Sequence, residues 1–244
     1  MKVSLLLVIK DKKDLLQNAL YSLARQKTSF PFEVCVLDVN SSMDLEPFIR
    51  EFMPTVKYKK LDEDVDFIYT KGMCLNLASP DSDVIVIQAG DVIYTKDSAL
   101  EELCKQVGPK TVSMAEVLDI PIDKYFHKNF ESNMKKILSN WDSYIHYYDG
   151  EIDGVRYTLN PYYTGKELPA AILFFLGAIR REDLILLDFQ RNNCDGVLAP
   201  KMKSLGFKIN YPNVKGIHQR HTKTVHFCPI VDRCRYHCIR KDKK

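Results

Sequence analysis

Residues 3–9 read VSLLLVI, and residues 10–25 that follow them read KDKKDLLQNALYSLAR. The first stretch is a continuous apolar run ending in a charged turn, which suits a strand covered on both faces. In the second, Leu15, Leu16, Ala19, Leu20 and Leu23 recur at helical spacing. The same alternation continues down the first half of the chain. Residues 33–38 (EVCVLD) read as a second strand and 45–53 (LEPFIREFM) as a helix. Residues 56–61 (VKYKKL) form a weaker strand, 71–79 (KGMCLNLAS) a helix and 83–88 (DVIVIQ) a clear strand. A helix near 97–107 and a strand near 111–118 complete this half. Strands alternating with helices imply βαβ units, so the expected class is α/β: a mostly parallel twisted sheet with helices on both faces.

The second half is less regular. Residues 123–139 look helical, 140–169 read as a long loop or insertion rich in Tyr, Asp, Gly and Pro, and 171–179 (AILFFLGAI) are strongly apolar. Residues 196–205 suit a helix ending at Gly206, and 207–211 (FKINY) a short strand. With no repeat, low-complexity segment or linker, one domain is expected.

The chain has 244 residues, 45% of them hydrophobic and 27% charged, which excludes a disordered or fibrous protein. Thirty-five Lys and Arg against 32 Asp and Glu leave a net charge of only +3, so nucleic acid is not an expected partner. No apolar run reaches the roughly 18–20 residues that span a bilayer. The 3–9 run is too short for a secretion signal, carries a charged flank and lacks a small-residue cleavage site. A cytoplasmic protein is the expectation. Seven cysteines, an odd number, argue against a disulfide framework. Cys35, Cys74, Cys104 and Cys194 read as buried thiols, whereas Cys228, Cys234 and Cys238 crowd the C-terminus.

In an open parallel sheet, ligands bind beyond the carboxyl ends of the strands. The residues at those ends are Lys10, Asp11, Lys12 and Lys13; then Asp38, Val39, Asn40, Ser41 and Ser42; then Gln88, Ala89, Gly90 and Asp91. Polar groups from three separate strands thus gather at one edge, which suits a nucleotide site, although such loops are also polar for solvation alone. There is no GxGxxG after the first strand and no GxxxxGK[ST] anywhere, which disfavours dinucleotide-binding and P-loop chemistry.

Taken in order, these segments resemble a family 2 glycosyltransferase with the GT-A fold, over about residues 1–220. The pieces are VSLLLVIKDKKDLLQNALYSLARQ, the strand and turn VCVLDVNSS, the helix KGMCLNLAS, and IVIQAGDVIY at the position of the acidic metal motif. FLGAIRRED, NNCDGVLAPKMKSLGFKINYP and GIHQRH follow. The resemblance implies a GT-A-like domain over residues 1–222, with a nucleotide-sugar-binding half (1–120) and an acceptor-binding half (121–222). Residues 223–244 remain as a basic tail containing Cys and His.

The implied activity is transfer, with inversion, from a nucleotide-diphosphate sugar to a hydroxyl of a glycan or lipid-linked acceptor. Asp195 is then the general base, and Asp91 with His218 holds Mn²⁺ or Mg²⁺. Lys10, Asp11, Asp38, Asn40, Lys71, Gln88, Ala89, Gly90 and Arg180 are the expected nucleotide-sugar contacts. Asp38 can accept a hydrogen bond from the base, and Lys71 at a helix start can meet the diphosphate. Gln88 can reach the metal through its amide oxygen. Gly177, Arg180, Arg181 and Glu182 are expected on the acceptor side, the arginines near diphosphate or acceptor. Of the two histidines in GIHQRH, His218 is preferred over His221, because residues three apart do not share a strand face.

Each carboxylate also has a plainer reading as a cap of its turn or helix. Two other classes stay open: a relative that binds sugar nucleotide or a partner without chemistry, and a nucleotidyltransferase. The latter is disfavoured by the lack of glycine in KDKKD. Cys228, Cys234, His237 and Cys238 lack a clean C-x-x-C pair, which disfavours zinc. The tail's Arg and Lys suit peripheral contact with an anionic membrane, and a solvated tail is the plain expectation.

Overall fold

The computed structural model describes residues 1–120, 122, 124–141, 148–152, 155–159, 175–191, 195–219 and 240–241. In chain order the first half holds β1 (Val3–Ile9), α1 (Lys13–Ala24), β2 (Phe32–Asp38), α2 (Glu46–Phe52) and β3 (Lys57–Lys60). It continues with α3 (Phe67–Leu75), β4 (Val84–Ala89), β5 (Val92–Tyr94), α4 (Ala99–Lys105), β6 (Thr111–Met114) and β7 (Glu116–Ile120). A 3-10 turn (Phe126–Asn129) leads into α5 (Phe130–Ser139), followed by β8 (Tyr148–Ile152), β9 (Val155–Leu159) and β10 (Leu176–Arg180). The last elements are α6 (Arg181–Leu186), α7 (Asp195–Ser204), β11 (Lys208–Asn210), β12 (Lys215–Gln219) and β13 (Arg240–Lys241).

Seven strands form the main sheet in the order β11-β6-β10-β4-β1-β2-β3. β1 lies at its heart, parallel to β2 and β4, with Val3 level with Phe32 and Val84. Only β10 runs against its neighbours. Because side chains alternate along a strand, β1 feeds two cores. Leu5 and Leu7 pack with Leu16, Leu20, Ile49 and Leu100 on one face. Leu6 packs with Leu37, Cys74, Leu198 and Met202 on the other. A second sheet, β5-β12-β7, rests its Ile93, Leu118 and Ile217 on Phe126, Phe130, Met134 and Trp141.

Three expectations are corrected. The strand expected near 111–118 is two strands in two sheets. At Ala115 the chain changes partners, its N–H donating to Leu176 O (3.0 Å) while that of Glu116 donates to Val214 O (2.9 Å). Within the expected 140–169 loop, β8 and β9 pair as an antiparallel hairpin. The end of the tail is also paired, Arg240 lying level with Thr158 of β9. Residues 220–239, with His221, Cys228, Cys234, His237 and Cys238, lie outside the described residues, as does Cys194. Among the described residues no helix is long and apolar enough to cross a membrane.

Cys35, Cys74 and Cys104 are buried and unbridged, as read from their apolar contexts. Burial pushes the Cys35 and Cys104 thiols up to about 12, Glu33 adding to the shift at Cys35, so both are inert.

A polar knot closes the amino edge of the main sheet. The carboxylate of Glu33 accepts from Ser4 Oγ (2.5 Å), Ser79 N (2.6 Å) and Ser79 Oγ (2.7 Å), and Lys57 Nζ stands 2.8 Å away. Burial alone raises this carboxyl, but the bonds from Lys57, Ser4 and Ser79 outweigh it and hold it at about 2, against an ordinary 4.5. A folded pKa below the unfolded one contributes stability above the unfolded value and loses it as the pH falls through the folded one. Denaturant midpoints should therefore be flat above about pH 5 and decline toward pH 2. Glu33→Gln should remove on the order of 2 kcal/mol of that decline, a figure discounted for solvent screening. An unchanged acid slope in Glu33→Gln would remove Glu33 as its source.

Candidate functional site

The carboxyl ends of β1, β2 and β4 meet at one edge, and each turns there under constraint. Asp11 and Lys12 adopt left-handed conformations (φ 51° and 57°), as does Asn40 (φ 55°). Such backbone is costly for side-chain-bearing residues and persists only where surrounding bonds impose it. Asp11 Oδ1 accepts from Ser42 N (2.7 Å) and Ser42 Oγ (2.8 Å), and Asp11 N donates to Ser41 Oγ (2.7 Å). Those bonds, the main-chain N–H of Ser42 first, hold the Asp11 carboxyl below its usual range. Lys10 Nζ reaches Asp64 Oδ1 at 2.6 Å, and Asn40 Nδ2 approaches the same oxygen at 3.5 Å. Lys10, Asp11 and Asn40 are thus brought together, as expected.

Asp38 sits beneath this cluster with no exposed surface. Its Oδ1 accepts from Ser41 N (2.8 Å) and its Oδ2 from Tyr58 OH (2.7 Å). In this structure it shapes the loop that presents Asn40.

β4 and β5 are joined by a tight turn at Gly90 and Asp91. A Cβ on Gly90 would stand 3.0 Å from Ile9 Cγ2 and 3.1 Å from Val8 O, so any larger residue would push on the end of β1 by a few tenths of an ångström. Gly90→Ala should cost about 1–3 kcal/mol in denaturant stability, since Val8 O is main chain and yields little. A wild-type midpoint would show that the turn opens freely. Gln88 braces the turn from below, donating Nε2 to Val92 O at 3.0 Å, and is 3% exposed. Its Oε1 has no partner among the described residues.

Asp91 meets His218 of β12, Nε2 to Oδ1 at 3.3 Å. His218 is buried and lies against the Phe175 ring, centroids 4.7 Å apart. No third His, Cys, Asp or Glu joins them in a metal-holding group among the described residues. One carboxylate and one imidazole still fit Mg²⁺ or Mn²⁺. Such ions take few protein ligands when waters and substrate phosphates complete the shell.

Asp195 opens α7, and its place follows from strand direction. β11 runs parallel to β6, and both run against β10, hence in the direction of β4. α7 packs Leu198, Ala199 and Met202 on one face of the sheet and turns at Gly206 (φ 74°) into β11. A ten-residue helix, about 15 Å long, that runs back along the sheet before a parallel strand begins at the carboxyl edge. The main chain of Asp195 therefore stands at the edge that carries Asp91.

Two expected contacts move. Arg180 is level with Val84, at the amino end of β4, because β10 is antiparallel, and its guanidinium pairs with Glu182. Arg181 likewise donates to Ser79 O (2.9 Å). The arginines thus lie across the sheet from Asp91 and cannot serve a diphosphate there. Lys71 is not at a helix start: α3 begins at Phe67, so Lys71 is inside the helix, where its N–H is not among the free ones at the terminus. Aromatic and β-branched residues in FIYT disguise the true start.

Phe175, Asn18, His127 and Gln219 did not stand out in the sequence. Gln219 contacts the main chain of Asp91 and the side chain of Asn18, which in turn meets His127. Partners separated by 201 residues leave no periodic signal.

No family model matches the chain, and no curated protein does. Solved structures do. The chain aligns with GalNAc-T7 bound to UDP, GalNAc and Mn²⁺ at TM-score 0.63 and 11% identity, covering 91% of this chain and 44% of that one. It aligns with Staphylococcus aureus TarS 1–349 in complex with UDP-GlcNAc at TM-score 0.57 and 13% identity, covering 92% and 60%. The mannosyltransferase PcManGT of Pyrobaculum calidifontis, with GDP-Man and Mn²⁺, gives TM-score 0.52, 16% identity, and coverage of 91% and 57%. The chain spans about half the length of these neighbours. Its fold is that of the GT-A glycosyltransferases.

Proposed function

We propose that this protein is an inverting glycosyltransferase that takes a nucleotide-diphosphate sugar and passes the sugar to a hydroxyl of a glycan or lipid-linked acceptor. The observation that carries this reading is the Asp91–His218 pair at the carboxyl edge, 3.3 Å apart and beside the latched loops that hold Lys10, Asp11 and Asn40. The three solved neighbours named above hold a nucleotide or nucleotide sugar, and two of them hold Mn²⁺.

Lys10, Asp11 and Asn40 line the nucleotide end, with Asp38 fixing their loop. Ala89 and Gly90 let the donor approach the main chain. Asp91 and His218 hold Mn²⁺ or Mg²⁺, which when bound neutralises charge on the departing diphosphate. Asp195 takes the proton of the acceptor hydroxyl as that oxygen attacks the anomeric carbon from the side opposite the diphosphate. The new bond therefore has the opposite anomeric configuration. The cytoplasmic placement and a tail that meets anionic lipid belong to the same proposal.

A thermal-shift series with UDP, GDP and their sugars, with and without Mn²⁺, tests the site. Ligand at about a hundredfold its Kd should add about 2.7 kcal/mol of stability. If no nucleotide raises the melting temperature with Mn²⁺ present, the donor reading fails. Among the described residues the donor set is two residues rather than a cluster, which favours a second reading as a binding protein without turnover. Release of nucleotide from its sugar that depends on Mn²⁺ excludes that alternative.

A further inference from the structure

β12 holds Asp91 twice. His218 brings its imidazole to the Asp91 carboxylate at 3.3 Å. The next residue, Gln219, takes the Asp91 main-chain carbonyl, through its own main-chain N–H at 3.1 Å and its side-chain Nε2 at 3.0 Å. Successive side chains leave a strand on opposite faces, so one strand grips both the head and the base of the same residue. Gln219 is fully buried, as is Asn18 of α1. Gln219 Nε2 also donates to Leu15 O (2.8 Å), and its Oε1 accepts from Asn18 Nδ2 (2.9 Å). Asn18 Oδ1 then accepts the main-chain N–H of His127 (3.1 Å) and lies 2.9 Å from His127 Nδ1.

The orientation of every group in this chain is forced. Leu15 and Asp91 offer carbonyl oxygens, which only accept, so Gln219 must turn its NH₂ toward them. Its oxygen then faces Asn18, which must answer with its own NH₂. The Asn18 oxygen is left for His127, whose Nδ1 therefore carries the proton. The network joins the first turns of α1, the end of β12 and the 126–129 turn into one rigid mount beneath Asp91.

The geometry points to Gln219 and Asn18 as positioning residues for the Asp91–His218 pair, an assignment that rests on reading that pair as a divalent-ion site. Without the Gln219 amide, the Asp91 carbonyl loses one of its two bonds from that residue and Leu15 O loses a donor. The short turn bearing the carboxylate is then free to shift. Outer partners of this kind typically govern metal affinity by about 10- to 100-fold.

The test is Mn²⁺ binding to the full chain in the presence of UDP, read by the paramagnetic resonance signal of the free ion. Wild type is compared with Gln219→Met, Asn18→Leu and Gln26→Met. Gln26 is the control, a buried amide that bonds Ser22 O (3.1 Å), Lys96 O (3.0 Å) and Leu100 N (2.9 Å) away from Asp91. All three substitutions should lower the melting temperature. Only Gln219→Met and Asn18→Leu should weaken Mn²⁺, by about 10- to 100-fold. Equal Mn²⁺ affinity in all three variants, whether kept or lost, overturns the positioning role. Should Gln219→Met not fold, Asn18→Leu against Gln26→Met decides alone. A wild type that takes up no Mn²⁺ removes the divalent-ion reading and the positioning role with it. That result is distinct from a wild type that binds and a Gln219→Met that binds as well.

Discussion

Asp195→Asn should lower sugar transfer by about 10²- to 10⁴-fold while leaving nucleotide-sugar affinity in the presence of Mn²⁺ nearly unchanged. The amide keeps the size of the carboxylate and its capacity to open α7, but it cannot accept the acceptor's proton. Loss should therefore fall on kcat rather than on donor binding, because a general base acts only as the acceptor oxygen attacks. Single-turnover transfer from labelled donor, paired with calorimetric titration of the unreactive nucleotide, separates the two quantities. Unchanged turnover would take Asp195 out of the mechanism, and a parallel loss of donor binding would make it a structural residue of the helix start.

Asp91→Asn should have an effect at least as large, by a different route. The substitution removes the carboxylate that the proposed metal site would use but leaves the Asp91 main-chain carbonyl, and so its two bonds from Gln219, in place. Mn²⁺ would lose its charged anchor, and the diphosphate would depart without the several kcal/mol that a divalent ion supplies, about 10³-fold or more in kcat/KM. The Mn²⁺-dependent part of the thermal shift with UDP should vanish in the same variant, while any Mn²⁺-independent part survives. A variant that keeps full Mn²⁺-dependent turnover would place the metal elsewhere.

The sequence conveyed most where chemistry and periodicity coincide. Leu5 and Leu7 against Leu6, followed by leucines at helical spacing, mark a strand buried on both faces and the helix that covers it. The strand-end rule brought Lys10, Asp11, Asn40, Gly90 and Asp91 to one edge, because parallel strands joined by helices share a direction. Legibility fails where direction or pairing depends on a distant partner. Arg180 follows an apolar run that looks like any other strand, and nothing local says that β10 is antiparallel. VSMAEVLDI, residues 112–120, reads as one strand, and its break at Ala115 is imposed by Leu176 and Val214. Tyr148–Ile152 and Val155–Leu159 flank Asp-Gly, a hairpin signal that a Tyr- and Pro-rich setting obscured.

Hydrophobic spacing along the chain thus dictated the α/β class, the two-faced sheet and the edge at which polar groups collect. Burial of apolar area is additive and local, so it leaves a periodic trace. The turning inward of Asp38, the removal of Arg180 to the far edge and the Gln219–Asn18 mount under Asp91 were settled in three dimensions. Hydrogen bonds are directional and need both partners in place, and here those partners come together only when strands and helices far apart in the chain have packed.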